Sequence, residues 1–360
     1  MIRKDSLHKL FHISSKIHGR DIPLHPVYCP DENQGYIPDW ADEPRNWYMW
    51  VEQEGKIECL RGYPAQSHYF GRGPEHQDDI YFRFNNMITQ YLCYNSILEP
   101  LGRIFEDIHN LGASISKLGL YEKLPKAHNT GRSRMITSEV EYIFSVCRSM
   151  YDLFQEIIAN VWNLIGVDGG NQLPPTSFSS IALHGDQPVS SENLEKDYGL
   201  LTSIAEFYEN EAETFSKIRD FRDNILHHGE TVRLIFITDE GYAVRSDFEP
   251  FSTFDVWNED DFLENDLAPF WPPIAFVINH TIGVLDRFLS KLQLEVAFLP
   301  PLAPEYVVFT RGDFMKNIGH LPSLIEDDVW GKESQKCYQT RLWRPISLCE
   351  IYTRSCPCYG

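Results

Sequence analysis

Apolar positions along this chain keep helical spacing over four long stretches. From about Asp78, the residues Phe84, Met87, Tyr91, Leu98, Leu101, Phe105 and Ile108 recur at three- and four-residue steps, predicting a long helix to roughly Leu118. Pro100 and Gly102 fall inside it and predict a kink or a split. A second helix is expected from Ser138, where Glu141 three residues on completes a capping box. Its buried face is Val140, Ile143, Cys147, Phe154, Ile158, Val161 and Ile165, and Asp168-Gly169-Gly170 ends it. Residues 169–190 read as a Gly/Pro/Ser-rich loop. A third helix is expected from about Ser191 to His228, with Gly229 as its C-terminal cap. Pro272 and Pro273 open a fourth, whose inner face carries Ile274, Val277, Ile278, Thr281, Leu285, Phe288 and Leu292.

Between and around these helices the pattern shortens. Asn46 to Val51 and Lys56 to Leu60 flank Gln53-Glu54-Gly55, and Thr231 to Thr238 and Tyr242 to Ser246 flank Asp239-Glu240-Gly241; both read as β-hairpins. Tyr306 to Thr310 reads as one late strand followed by an irregular tail. Amphipathic helices must bury their stripes against one another, so the expected fold class is mostly α. It is a four-helix bundle with small β-hairpin additions and irregular N- and C-terminal extensions. The expected divisions are 1–77, a Pro- and aromatic-rich extension with a hairpin; 78–299, the helical domain; and 300–360, a strand and a Cys-containing tail.

Composition narrows this picture. With 42% apolar and 23% charged residues over 360 positions, a core of ordinary size is expected. The 52 acidic against 32 basic residues give a net charge of −20, which argues against tight, sequence-independent binding to long duplex nucleic acid. A local basic cleft that captures one RNA loop stays compatible with it, because fields are focused locally. No apolar run is long enough for a membrane span, and Met1 to Leu10 lacks the apolar stretch of a secretory signal. No membrane association and a cytoplasmic location are therefore expected.

Of eight cysteines, Cys93 and Cys147 fall among apolar helical neighbours and read as buried thiols, while Cys29 and Cys59 lie in loop or strand context. Cys337, Cys349, Cys356 and Cys358 gather in the tail without paired C-x2-C knuckles, leaving free thiols, a disulfide or zinc open. No metal or cofactor site is assigned. Walker, G-x-S-x-G and H-E-x-x-H motifs are absent from the sequence.

The third helix carries an anomaly. Its stripe runs Leu201, Ile204, Tyr208, Glu211, Phe215, Ile218, Arg222 and Ile225, so two charges occupy seam positions. A charge facing a core is costly unless paired or used. One reading pairs Glu211 with Arg222 inside the bundle, as in a scaffold protein. The other follows from the neighbours: Arg222, Asp223, Asn224, Ile225, Leu226, His227 and His228. This segment, at the end of the penultimate helix of a four-helix array, resembles the motif of the HEPN domains (higher eukaryotes and prokaryotes nucleotide-binding). Their active members carry an arginine, a polar residue, and a histidine four to six positions after the arginine. His227 follows Arg222 with four residues between and His228 with five. The resemblance covers roughly residues 78–297.

That resemblance implies metal-independent RNA cleavage, in which the ribose 2′-hydroxyl attacks the adjacent phosphate to leave 2′,3′-cyclic phosphate and 5′-hydroxyl ends. A histidine suits the proton transfers because its pKa lies near neutrality. An arginine suits the charge gathering on the phosphate oxygens. His227 or His228 would take the first role and Arg222 the second, with Asp223 or Asn224 orienting either. The resemblance further implies an RNA substrate, a homodimer that joins two motif copies, and a toxin or phage-defence effector held by an antitoxin or regulatory protein. A non-catalytic module that binds a nucleotide, RNA or protein partner is the alternative, and the acidic charge favours it. Arg148, near Asp152, and His280 read as packing or surface residues.

Overall fold

In the computed structural model the described residues are 27–28, 47–53, 56–61, 67–74, 79–123, 131–165, 172–228, 235–263, 265–312, 314–326 and 328–331, with backbone alone for 27–67 and 224–228. Helix predominates among them: α1 Arg83–Tyr91, α2 Asn95–Glu122, α3 Arg132–Ile165, α4 Ser179–Ala182, α5 Ser191–Tyr198, α6 Thr202–His228, α7 Trp271–Ile282, α8 Val284–Glu295 and α9 Met315–Glu326. The strands are β1 Val27–Tyr28, β2 Trp47–Gln53, β3 Lys56–Arg61, β4 Ser67–Gly71, β5 Asp79–Tyr81, β6 Leu183–His184, β7 Gln187–Pro188, β8 Phe236–Ile237, β9 Tyr242–Arg245, β10 Leu267–Pro269 and β11 Val307–Arg311.

The apolar stripes locate the helices, and the breaks differ from expectation for local reasons. The first predicted helix divides at Leu92–Tyr94 rather than at Pro100, which lies inside α2. Pro100 falls early in α2, where its missing N–H removes one backbone bond near the helix start. The second begins at Arg132, not Ser138; the Ser138 hydroxyl bonds back to the Arg134 carbonyl at 2.9 Å inside the helix instead of capping it. Its expected Asp168-Gly169-Gly170 terminator lies outside the described residues. The third divides at Gly199, which takes a left-handed φ of 66° as a C-terminal cap for α5. The fourth divides at Gly283 into α7 and α8, with Pro272 and Pro273 opening α7 as expected. The loop expected at 169–190 contains α4 and a β6–β7 hairpin, and the tail expected to be irregular contains α9.

Side-chain pairs fix how the helices run. Lys117 meets Glu139 and Arg103 meets Glu156, so α2 and α3 are antiparallel. Phe144 packs on Phe221, Tyr151 on Phe215, and the Tyr208 hydroxyl donates to Gln155, so α3 and α6 are antiparallel too. Phe207 meets Phe288 and Glu206 meets Lys291, which sets α8 antiparallel to α6. The resulting core is continuous from Ile80 to Leu324 and rich in fully buried rings, including Tyr151, Phe154, Phe178, Tyr208 and Phe215.

Beside the helices lies a six-stranded sheet of order β3-β2-β1-β4-β11-β5, antiparallel except where β1 meets β4. The expected N-terminal hairpin is β2–β3, with Trp50 opposite Cys59. β11 sits between β4 and β5, so the sheet draws strands from 27–81 and from 307–311. The second expected hairpin is β8–β9, extended by β10 into three strands. In the large sheet Arg311 donates to both oxygens of the buried Asp79, at 2.6 and 2.8 Å, and the Tyr69 hydroxyl donates to Asp79 at 2.7 Å. No helix among the described residues is long and apolar enough to cross a membrane.

Three glycines of α2 differ in what surrounds them. A Cβ at Gly112 would come within 2.9 Å of the Phe314 carbonyl oxygen, whereas Gly102 and Gly119 have nothing within 4 Å. In urea denaturation, Gly102→Ala and Gly119→Ala should each raise stability by up to about 1 kcal/mol, through helix propensity and a less free unfolded chain. Gly112→Ala should lower it by about 1–3 kcal/mol, because backbone must move.

At the end of α2, burial pushes the Glu122 carboxyl up to about 7; the Lys123 charge and the Tyr242 backbone oppose this in part. A carboxyl whose folded value is raised holds its proton more tightly in the folded state, so ionising it costs stability as pH rises from about 4.3 to about 7. Glu122→Gln should therefore be more stable than the parent at pH 8 and close to it at pH 5, read as urea midpoints. Equal pH slopes for the two proteins would contradict this.

Candidate functional site

α6 carries the candidate residues, and its inner face is Ile204, Tyr208, Ala212, Phe215 and Ile218, all fully buried. Glu211 sits in that face with its side chain 4% exposed. Its Oε1 accepts from Arg287 Nε, while its Oε2 accepts from Arg287 Nη2 at 2.9 Å and pairs with His280 Nε2 at 3.1 Å. The Glu211–Arg222 pair of the scaffold reading is therefore not formed. Eleven residues of helix separate the two, about 16 Å of rise, and the cations of α7 and α8 lie against Glu211 instead. Burial alone would push the Glu211 carboxyl up, but the bonds and charges of His280 and Arg287 outweigh it and hold it below its ordinary value.

Arg287 also closes the end of α7. Its Nη2 donates to the His280 carbonyl at 2.8 Å, where a cation suits the negative helix end. Gly283 leaves the space this needs: a Cβ there would lie 2.6 Å from Arg287 Nη1. His280, read from sequence as a packing or surface residue, is thus one of the two partners of the buried carboxylate. Arg287 was not singled out. The signal for both was present, since they stand seven residues apart and so share one face of the fourth predicted helix.

Arg222 is placed differently. Its side chain is 35% exposed, and Nη1 donates to Asp223 Oδ1 at 2.8 Å. The preceding Phe221 is buried against Phe144, Phe248 and Phe251, which anchors this turn of α6 to α3 and to residues 248–251. Helical backbone continues to His228, so position 227 stands one turn beyond Asp223 on the same face. The side chains of Asn224, His227 and His228 lie outside the described residues, as does Gly229.

Two further cations flank the motif. Arg219, one turn earlier, donates to Asp186 Oδ1 at 2.6 Å and to Asp220 Oδ1 at 3.1 Å. Arg148 on α3 bonds Asp152 at 2.6 Å and covers the Phe215 ring, a packing role in keeping with the sequence reading. Cys93 and Cys147 are buried, as expected; Cys29 and the four tail cysteines lie outside the described residues. Among the described residues no group of three or more His, Cys, Asp or Glu side chains is placed to hold a metal ion.

Comparison of the chain with protein-family models, with curated proteins and with solved structures finds no match.

The two charged seam positions should therefore respond differently to substitution. Arg287→Ala leaves a buried carboxylate short of its main partner and should cost on the order of 3 kcal/mol. Arg222→Ala breaks a half-exposed pair and should cost no more than about 1 kcal/mol. Urea unfolding at neutral pH separates the two, and a large loss for Arg222→Ala would contradict this placement.

Proposed function

We propose that this chain is a metal-independent endoribonuclease of the HEPN type, built on a HEPN-like helical bundle. The observation that carries the reading is the state of Arg222. It lies on the helix face that carries the buried Glu211 carboxylate, yet its own partner is the adjacent Asp223, whose side chain is 39% exposed, and the Arg222 side chain is itself part-exposed. A phosphate can therefore reach it without breaking the ionic contacts that hold α6 to α7 and α8.

In this mechanism His227 accepts the proton of a ribose 2′-hydroxyl as its oxygen attacks the neighbouring phosphorus. The P–O5′ bond breaks, and the departing oxygen takes a proton from a protonated histidine, His228 or the His227 of a second copy. Arg222 donates to the non-bridging oxygens as charge builds on them. Asp223, bonded to Arg222, holds the fork in place, and Asn224 is the polar residue of the motif. One motif per chain suits a homodimer in which two copies face a shared cleft. The biological role that fits is a cytoplasmic toxin or phage-defence effector held in check by an antitoxin or regulatory protein.

The net charge of −20 favours a second reading, a non-catalytic module that binds a nucleotide, RNA or protein through the same surface. Cleavage in the presence of EDTA separates the two. Incubated with mixed RNA, the protein should generate cyclic-phosphate and 5′-hydroxyl ends. His227→Ala and Arg222→Ala should each lose about 10²-fold or more in rate. Arg222→Lys should recover little, because an ammonium lacks the fork. Binding without cleavage would put the second reading first.

A further inference from the structure

Arg219 and Arg222 stand three residues apart on α6, so they leave neighbouring turns on one side of the helix. Arg219 is engaged by the tip of the β6–β7 hairpin: its Nη2 donates to Asp186 Oδ1 at 2.6 Å, while its Nε and Nη2 donate to Asp220 Oδ1 at 3.2 and 3.1 Å. Gly185, with a left-handed φ of 63°, makes the turn that presents Asp186. Arg222 is engaged in the same manner by Asp223.

What distinguishes these arginines is the exposure of their partners. The carboxylates of Asp186, Asp220 and Asp223 are 82%, 53% and 39% exposed, whereas those on Arg287 and Arg311 are 4% and 0% exposed. A buried carboxylate that loses its arginine is left charged and unsolvated, so that bond does not yield to a competing anion. An exposed one returns to water, so a phosphate that takes over Arg219, itself 15% exposed, or Arg222, 35% exposed, leaves no carboxylate stranded out of water. A phosphodiester offers the same planar match to the guanidinium fork.

We propose that Arg219 and Arg222 form a two-arginine clamp for backbone phosphates of an RNA strand, and that Asp186 occupies Arg219 as a displaceable brake until RNA takes its place. The clamp rests on the ribonuclease reading of the same helix and adds two residues to it. One is a contact beyond the motif, and the other is a hairpin residue that lowers affinity. In a chain of net charge −20, an arginine already masked by an acidic hairpin also limits capture of unrelated nucleic acid.

The test is fluorescence anisotropy of the full chain with a single-stranded 2′-O-methyl oligoribonucleotide, which lacks the attacking hydroxyl and so reports binding without cleavage. Asp186→Asn, at an exposed hairpin tip, should tighten binding on the order of fivefold, because the carboxylate that competes with phosphate for Arg219 is gone. Arg219→Gln should weaken binding and make the salt dependence shallower by about 0.7 in log–log slope, one phosphate contact on a single strand. The double variant should behave like Arg219→Gln, because the brake then has nothing to act on. Unchanged affinity for Asp186→Asn, or a double variant that keeps its gain, would overturn the clamp. Binding that needs Arg222 but ignores Asp186 and Arg219 keeps the ribonuclease reading and overturns the clamp alone. No binding by the parent at low salt removes both.

Discussion

A carboxylate shut away from water in a helical seam obliges the helices facing it to supply cations. Around Glu211 that requirement is met by Arg287 and His280, from α8 and from the end of α7, so one side chain ties three helices at one level. The neighbouring contacts follow in register, with Phe207 on Phe288 and Glu206 on Lys291. With α6 fixed along its length in this way, and Phe221 locked into the rings of α3 and residues 248–251, the last turns of the helix project from a braced support. A site built on such a helix keeps its geometry better than one built on a loop.

Arginine plays two separate parts in this molecule, and burial of the partner decides which. Arg287 and Arg311 answer carboxylates that have no water to fall back on, and they hold helix to helix and strand to strand. Arg219 and Arg222 answer carboxylates that water can solvate, and their bonds are exchangeable. Formal charge in the sequence is the same in all four cases. The protein as a whole is acidic, yet Arg219 and Arg222 of α6 are neutralised by carboxylates that face solvent rather than the core.

Much of the helical content was legible because burial imposes a periodicity of its own: the stripes of α2, α3, α6 and α7–α8 are the core. Breaks were less legible, since they depend on single residues with more than one use. Gly199 caps a helix through its left-handed φ, while Gly283 marks a junction where the space is taken by Arg287. Ser138 and Glu141 looked like a cap and lie within a helix, because a serine can bond its own preceding turn as readily as a helix start. For the candidate site, the sequence identified Glu211 as a charge in need of a partner but not which partner. Pairing across helices depends on how they pack, and one-dimensional spacing within α6 pointed to Arg222 instead. The β4–β11 pairing escaped for a related reason: Phe70 meets Val308 across more than two hundred residues, and no local pattern announces a partner that far away.

That long-range pairing has a consequence for the order of events as the chain is made. β11 lies between β4 and β5, so the β4–β11 and β5–β11 ladders that join these strands cannot form until residue 311 has left the ribosome. The helices from α2 to α8 are complete in sequence before then, and their contacts are closer along the chain, so the bundle can collapse first. The joining of β4 to β5 is a late closure, made when β11 enters between them. A chain released before β11 would carry the motif helix and the bundle core while leaving the edges of β4 and β5 unpaired, and unpaired strand edges invite association with other chains.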